Sequence, residues 1–220
     1  SLMTEKPIRV LMVDDHPLIR EGLQAVLSQA PGLELVAQAS DGIEGLRLAR
    51  ALQPDVILMD LLMPGMNGLA ATQAILSEFP HMRVVILTSV IETEQIVAAA
   101  RMGAVGYVLK NASSRELMHT IQGVMLGKIV LPEPILSALR VGRPPDEAEE
   151  MESDVHQRLT RREVEIIKLI AAGLGNDEIA ERLVISRSTV GVHISNVLNK
   201  LQMENRTQVA LFAVRRGWAD

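Results

Sequence analysis

The feature that most restricts the fold is a hydrophobic period that keeps switching along the first part of the chain. Short runs rich in β-branched residues stand at "IRVLMV" (Ile8–Val13), "LELVAQA" (Leu33–Ala39), "DVILMD" (Asp55–Asp60), "RVVILTS" (Arg83–Ser89) and "VGYVLK" (Val105–Lys110). Between them apolar residues fall at helical spacing, as at Leu18, Leu23, Val26 and Leu27, then Ile43, Leu46, Ala49 and Leu52. Strands that alternate with helices pair in parallel, because each crossover returns the chain to the same end of the sheet. Most of the runs are apolar throughout, so helices must cover both faces. The expected class is α/β, a doubly wound five-stranded parallel sheet. Ser113 followed by Glu116 is a capping box that opens the fifth helix.

The texture then changes. "VGRPPDEAEEMESDVHQR" (Val141–Arg158) carries two prolines and a run of acids with hardly any large apolar residue, the composition of a linker. The preceding "LPEPILSALR" reads as a short helix that either neighbour could hold. The expected division is a first domain over residues 3–127, a partly helical linker over 128–156, and a second domain over 157–220. That second domain is all-α. Thr160 and Glu163 form a capping box, Gly173 ends the helix it opens, and Asn176 and Ser186 are candidate N-caps of the next two. A last helix runs through "RTQVALFAVRR" to Gly217. Two short helices joined by a tight turn at Val184-Ile185-Ser186 suggest a helix-turn-helix.

Charge is uneven. Residues 1–150 hold 12 of the 22 Lys+Arg and 18 of the 27 Asp+Glu, so the overall −5 comes from the front of the chain. The weakly positive remainder permits nucleic-acid binding without requiring it. The absence of Cys excludes disulfides and thiolate metal sites. No apolar run approaches the ~18–20 residues of a membrane span, and no leader pattern opens the chain. A cytoplasmic protein with no membrane partner is the expectation.

In a doubly wound sheet, functional groups gather at the carboxyl ends of the strands. Asp14 and Asp15 follow the first strand, Asp60 ends the third, Thr88 the fourth and Lys110 the fifth. A lone Asp after a strand is more often the cap of the next helix. Five such residues on one edge are another matter. Three carboxylates so placed repel one another, and a divalent cation relieves that; an all-oxygen site suits Mg²⁺. With Lys110 as a positive charge and Thr88 as a hydroxyl donor, the set suits attack by Asp60 on a phosphoryl group.

"VLMVDDHPLIREGL", "DVILMDLLMPGMNG", "VVILTS" and "GYVLK" resemble the receiver domain of two-component response regulators, which has a flavodoxin- or CheY-like fold. Together with "LTRREVEIIKLIAAG" and "EIAERLVISRSTVGVHISNVLNKL", nearly the whole chain resembles the NarL/FixJ family, a receiver joined to a LuxR-type DNA-binding domain. The resemblance implies that Asp60 accepts phosphate from a sensor histidine kinase. It also implies that Asp15, Asp60 and the backbone carbonyl of Leu62 bind Mg²⁺, with Asp14 acting through water, and that Thr88 and Tyr107 are the switch pair. The chain would be a phosphoacceptor regulator rather than an enzyme on other substrates. Leu62 stands where close relatives often have Asn, and Val90 is also apolar. Both should keep hydrolytic water from a phospho-aspartate and lengthen its life.

On the helix from Ser186 to Leu201, Val190, Ile194, Val197, Leu198 and Leu201 form a core stripe. The other side shows Arg187, Ser188, Gly191, Val192, Ser195 and Asn199, with Asn196 and Lys200 near its borders. Val192 is either surface scatter or a contact for a thymine methyl; Ser195 and Asn196 suit base edges or phosphates; Arg187 and Lys200 suit the backbone. His193 packs or caps locally. Relatives often carry Lys at the positions of Gly191 and Asp177 and a basic residue near Ser195, so DNA binding with a shallow salt dependence is expected here. In the family the last helix, with Val209, Phe212 and Val214, makes the dimer contact, and a homodimer formed on phosphorylation would read palindromic or paired half-sites. Two other readings differ in class. One is an aspartate-nucleophile phosphotransferase, which usually needs an acid where Leu62 stands. The other is a signalling adaptor whose helix-turn-helix binds DNA weakly.

Overall fold

The computed structural model describes residues 6–141 and 158–219. They group into two compact units, one running to Val90 and resuming at Met102–Met125, the other made of Ile91–Arg101 and the chain from Leu126 onward. The expected linker residues from 142 to 156 lie outside the described residues.

Five strands, β1 (Ile8–Val13), β2 (Leu33–Ala39), β3 (Val56–Asp60), β4 (Arg83–Thr88) and β5 (Gly106–Leu109), form one parallel sheet in the order β2-β1-β3-β4-β5. Helices α1 (Pro17–Ser28), α2 (Gly42–Leu52), α3 (Gly68–Glu78), α4 (Thr93–Met102) and α5 (Ser114–Met125) alternate with them. The expected doubly wound class is what the chain adopts. Because β1 connects to β2 on one side while later connections run the other way, right-handed crossovers put α1 on the face opposite α2 and α3. The central strands are dry: Val10 to Val13 of β1, Val56 to Met59 of β3 and Val84 to Leu87 of β4 are all fully buried.

Register does the positioning. Val13 pairs with Met59, so Asp14 and Asp60 leave the ladder side by side. Asp60 pairs with Leu87, which puts Thr88 one step beyond it. Thr88 pairs with Leu109, and Lys110 comes next. The turn after β3 is tight. Gly65 has φ +73°, and a Cβ on Gly68 would lie 2.0 Å from the Asp60 carbonyl oxygen. Only glycine lets α3 start so close behind the strand. Asn67 then caps α3, its side chain accepting from the Ala70 amide at 2.9 Å.

The second unit contains α6 (Glu133–Val141), α7 (Arg161–Ala171), α8 (Asn176–Leu183), α9 (Arg187–Leu201) and α10 (Arg206–Arg215). Helix α6, which covers most of "LPEPILSALR", packs on α10 and buries Ile135 and Leu139. The capping box of Thr160 with Glu163 opens α7, and Ser186 caps α9 by accepting from the Thr189 amide. Asn176 is not a cap. It is the first residue of α8, whose N-cap is Gly175, and its side-chain oxygen accepts from Arg206 instead. Arg206 has no carboxylate partner among the described residues, and burial pulls its pKa down to about 10. Between α8 and α9, Val184 takes the left-handed conformation, with φ 56° and ψ 48°.

Candidate functional site

The carboxyl edge of the sheet brings Asp14, Asp15, Asp60 and Lys110 together. Asp14 and Asp60 are buried, and Asp15 is about three-quarters covered, with its side chain 26% exposed. The Lys110 ammonium reaches across from β5 to lie 2.8 Å from Asp14 Oδ2 and 3.0 Å from Asp60 Oδ2. Those distances make ion pairs, although neither oxygen gains a well-aligned hydrogen bond, and Asp15 Oδ1 has none at all. One cation thus pairs with two buried acids, and Asp15 adds a third carboxylate to the cluster. Burial raises the Asp60 pKa, Asp14 adds repulsion, and the contact with Lys110 only partly offsets them. For Lys110 burial acts downward, yet its contacts with Asp14 and Asp60 outweigh that and leave it raised. The pocket therefore holds a committed cation beside an acid that is uncomfortable as an anion.

The donor set fits a hard divalent ion. Among the described residues, Asp14, Asp15, His16 and Asp60 offer ligand atoms that all lie within 4.8 Å of one another. Excess carboxylate, an unsatisfied Asp15 oxygen and an open side at Asp15 are what such an ion requires. His16, the residue after the paired acids, is not among the residues that the sequence marks for the site. Its position was the signal. As the N-cap of α1 it makes no side-chain capping bond, and its ring instead turns back over the acids, with Nδ1 3.0 Å from Asp15 Oδ1 and 3.2 Å from Asp14 Oδ1. Nor does the sequence mark Arg20, whose guanidinium donates to the Asp14 backbone oxygen at 2.7 Å and pins the turn.

The two switch candidates, Thr88 and Tyr107, both lie in the first unit. Thr88 is at the edge, but its hydroxyl donates to the Val90 carbonyl at 2.7 Å and accepts from the Val90 amide at 3.2 Å. It is turned into its own loop. Tyr107 is fully buried. Leu62 and Val90 are exposed, and the Leu62 amide donates to Asp60 Oδ1 at 3.2 Å.

On α9 the proposed reading face is exposed at Arg187, Ser188, Val192, Ser195 and Asn196, and partly so at Gly191. Its two cations are engaged. Lys200 lies 2.8 and 2.9 Å from the two oxygens of Glu163, an acid buried at the start of α7; Arg187 pairs loosely with Asp177 at 3.3 Å, both exposed. Lys200 is thus a structural partner of α7. Of the core stripe, Val190 and Val197 are fully covered, while Ile194, Leu198 and Leu201 are half-buried. The last helix, on which the dimer contact is expected, also closes the small core of its unit. Val209 and Val214 are fully buried inside their own unit, because α7 and α6 pack over α10. Phe212 alone of the three is partly exposed, stacked edge-on against Trp218 with Arg216 over its ring at 4.4 Å.

A parallel sheet with this acidic edge, linked to a helix-turn-helix, defines a signal receiver joined to a DNA reader. Residues 10–122 match the response regulator receiver domain and residues 157–213 match the luxR family of bacterial regulatory proteins. The chain is 41% identical over 94% of its length to the transcriptional regulatory protein LiaR of Bacillus subtilis, covering 97% of that protein. It is 39% identical over 96% of its length to the nitrate/nitrite response regulator NarL of Escherichia coli, again covering 97%. Among solved structures, a LuxR-family two-component response regulator from Aurantimonas shares 34% identity with a TM-score of 0.58, covering 60% of this chain and 94% of that one. The chain belongs to the NarL/FixJ family of two-component response regulators. It carries receiver and LuxR-type DNA-binding domains, the pairing of a transcription regulator rather than of an ordinary enzyme. No helix among the described residues is long and apolar enough to cross a membrane.

Proposed function

We propose that Asp60 accepts a phosphoryl group from a sensor histidine kinase, in a step that requires Mg²⁺, and that the phosphorylated chain dimerises and binds paired DNA half-sites in the cytoplasm. The receiver spans residues 3–127 and the DNA-binding domain residues 157–220 on this reading. The observation that carries it is the Lys110 ammonium held between Asp14 and Asp60 in a buried pocket with surplus negative charge.

Asp15, Asp60 and the Leu62 carbonyl would hold the ion, with Asp14 acting through water. When bound it neutralises oxygens of the phosphoryl group and of the acids around it. The chain's own groups do the rest. Asp60 Oδ2 supplies the attacking oxygen. Lys110 is already in place to offset the charge that grows when one negative charge becomes about two. Thr88 must leave the Val90 carbonyl to donate to the new oxygens, and that rotation carries the change into the β4–α4 loop. Tyr107, buried beforehand, would repack into the space that the movement of Thr88 leaves.

The test is incubation with acetyl phosphate and Mg²⁺, read by phosphate-affinity electrophoresis and by fluorescence anisotropy on genomic DNA fragments. Phosphorylation at one residue, lost in Asp60→Asn and accompanied by tighter DNA binding, is expected. An unphosphorylated wild type overturns the reading. A second reading, a signalling adaptor with weak DNA binding, is favoured by the engagement of Arg187 and Lys200 with acids. On that reading the chain is phosphorylated while anisotropy stays flat.

A further inference from the structure

We infer that the Asp177 carboxylate stands in for a DNA phosphate on Arg187 and must be displaced before Arg187 reaches the duplex. An acid of the chain itself then holds down both the affinity and the salt dependence of DNA binding. This rests on the reading that the second unit binds DNA.

The two cations on the reading side of α9 differ in how easily they exchange partners. Lys200 lies 2.8 Å from Glu163, whose side chain is only 4% exposed. Withdrawing Lys200 would strand a buried carboxylate, so it stays where it is. Arg187 is held otherwise. Its guanidinium lies 3.3 Å from Asp177 Oδ2, and the two side chains are 71% and 70% exposed. Water solvates both partners when they separate, and exposed pairs of this kind contribute little stability. Arg187 is thus the cation that a phosphate can take, and Asp177 is the group that it must be taken from.

Position gives the pair its purpose. Arg187 is the first residue of α9, at the positive end of the helix dipole. Hydroxyls gather beside it: the Ser186 oxygen is 2.8 Å from that of Ser188 and 2.7 Å from that of Thr189. A guanidinium at such an end gains from any nearby anion. The chain supplies Asp177, from the first turn of α8, and a DNA phosphate offers the same charge on the same kind of oxygen acceptors. When phosphate replaces Asp177, the carboxylate is left unpaired beside the DNA backbone and draws back a counterion. Net ion release on binding is then smaller by about one than the phosphate contacts alone would give.

A double-mutant cycle tests this, read by fluorescence anisotropy of the full chain, treated with acetyl phosphate and Mg²⁺, on a short mixed-sequence duplex across a salt series. Asp177→Asn should tighten binding at low salt by about two- to fivefold and steepen the log–log salt slope by up to about 0.9. Arg187→Ala should weaken binding, and Asp177→Asn added to it should then change little, because the group it frees is gone. A gain that persists undiminished in the Arg187→Ala background overturns the inference, since Asp177 would then repel DNA directly. So does an Asp177→Asn variant with a lower Tm and the wild-type slope, the mark of a carboxylate that only supports the start of α8. Duplex binding that Asp177→Asn leaves unaltered removes the inference while the DNA-binding reading stands. Absence of binding in the wild type and in every variant removes both.

Discussion

At the receiver's carboxyl edge, Asp14 and Asp60 are buried and Lys110 is drawn in between them, while on α9 the outward side chains are small, mostly neutral and exposed. The first region concentrates charge where water cannot screen it; the second disperses what charge it has into pairs with Glu163 and Asp177. A buried surplus of charge is a stored electrostatic cost that ligation or chemistry can relieve. An exposed neutral face stores little and gains affinity only by what it contacts. The two regions thus suit different tasks: one is built to change state, the other to be presented.

The largest effect expected from breaking that contrast belongs to Asp60→Asn. It abolishes phosphorylation outright. It should also make the receiver more stable at neutral pH, by about 1 kcal/mol or a few degrees in Tm. The sign follows from linkage. Burial, then Asp14, hold the Asp60 pKa above its ordinary value, so the folded chain binds that proton more readily than the unfolded one. The resulting cost is fully present above the folded pKa and disappears as pH falls toward the unfolded value. Calorimetric melts across pH should show the variant's advantage shrinking on acidification. An unchanged or lower Tm at neutral pH would mean that Lys110 fully offsets the acids.

Lys200→Met probes the opposite region and should cost the DNA-binding unit about 1–2 kcal/mol, less than a fully buried pair because the Lys200 side chain is 36% exposed. Burial acts to raise the Glu163 pKa, but Lys200 and the capping bonds from Thr160 outweigh it and hold it low. That stabilisation is present above the unfolded Glu value and is lost as pH falls through the folded one, so wild type and variant should converge in acid. A variant that melts like the wild type but loses about 0.9 from the log–log salt slope of DNA binding would return Lys200 to the phosphate backbone.

How much of this was legible depends on what kind of contact carries each feature. The strands could be read because a dry parallel sheet demands unbroken apolar runs, and the acidic edge followed because topology alone brings strand ends together. Thr88's rotamer could not be read, since its choice of Val90 as partner depends on the path of one loop. Nor could the burial of Val209 and Val214: an apolar helix face is the same sequence signal whether its partner is a second copy or α7 and α6 of the same chain. The pairing of Lys200 with Glu163 could not be read either: Glu163 is 37 residues away, and its place in the capping box, which it also makes, is the nearer sequence signal.

Leu62→Asn acts on the rim of the pocket. Leu62 is about half exposed beside Asp60, and an amide there can position water where the apolar side chain excludes it. Decay of the phosphoprotein should quicken about threefold, equivalent to ~0.7 kcal/mol of barrier, measured by phosphate-affinity electrophoresis after phosphodonor removal. An equal or slower decay would show that Leu62 does not shield the acyl phosphate, and that the charge balance of the pocket alone sets its lifetime.

The smallest effect comes from the turn that presents the recognition helix. Val184 is 90% exposed, so its side chain packs against almost nothing, yet it sits in the left-handed region, as Gln53 and Gln202 do at the ends of α2 and α9. That conformation costs an L-residue roughly 1–2 kcal/mol, and a β-branched side chain is among the worst placed to adopt it. Its amide still closes α8 by donating to the Ala180 and Glu181 carbonyls, which any residue with an N–H can do. Val184→Gly removes the steric cost and adds back about 0.5–1 kcal/mol of chain entropy. A net gain of roughly 0.5 kcal/mol should remain. Because the cost is steric, the gain should be the same at every pH where the unit is folded, whereas the gain from Asp60→Asn must fade in acid. Parallel melts of the two variants across pH therefore separate strain held as charge from strain held as backbone geometry. A pH-dependent gain at Val184 would erase that distinction.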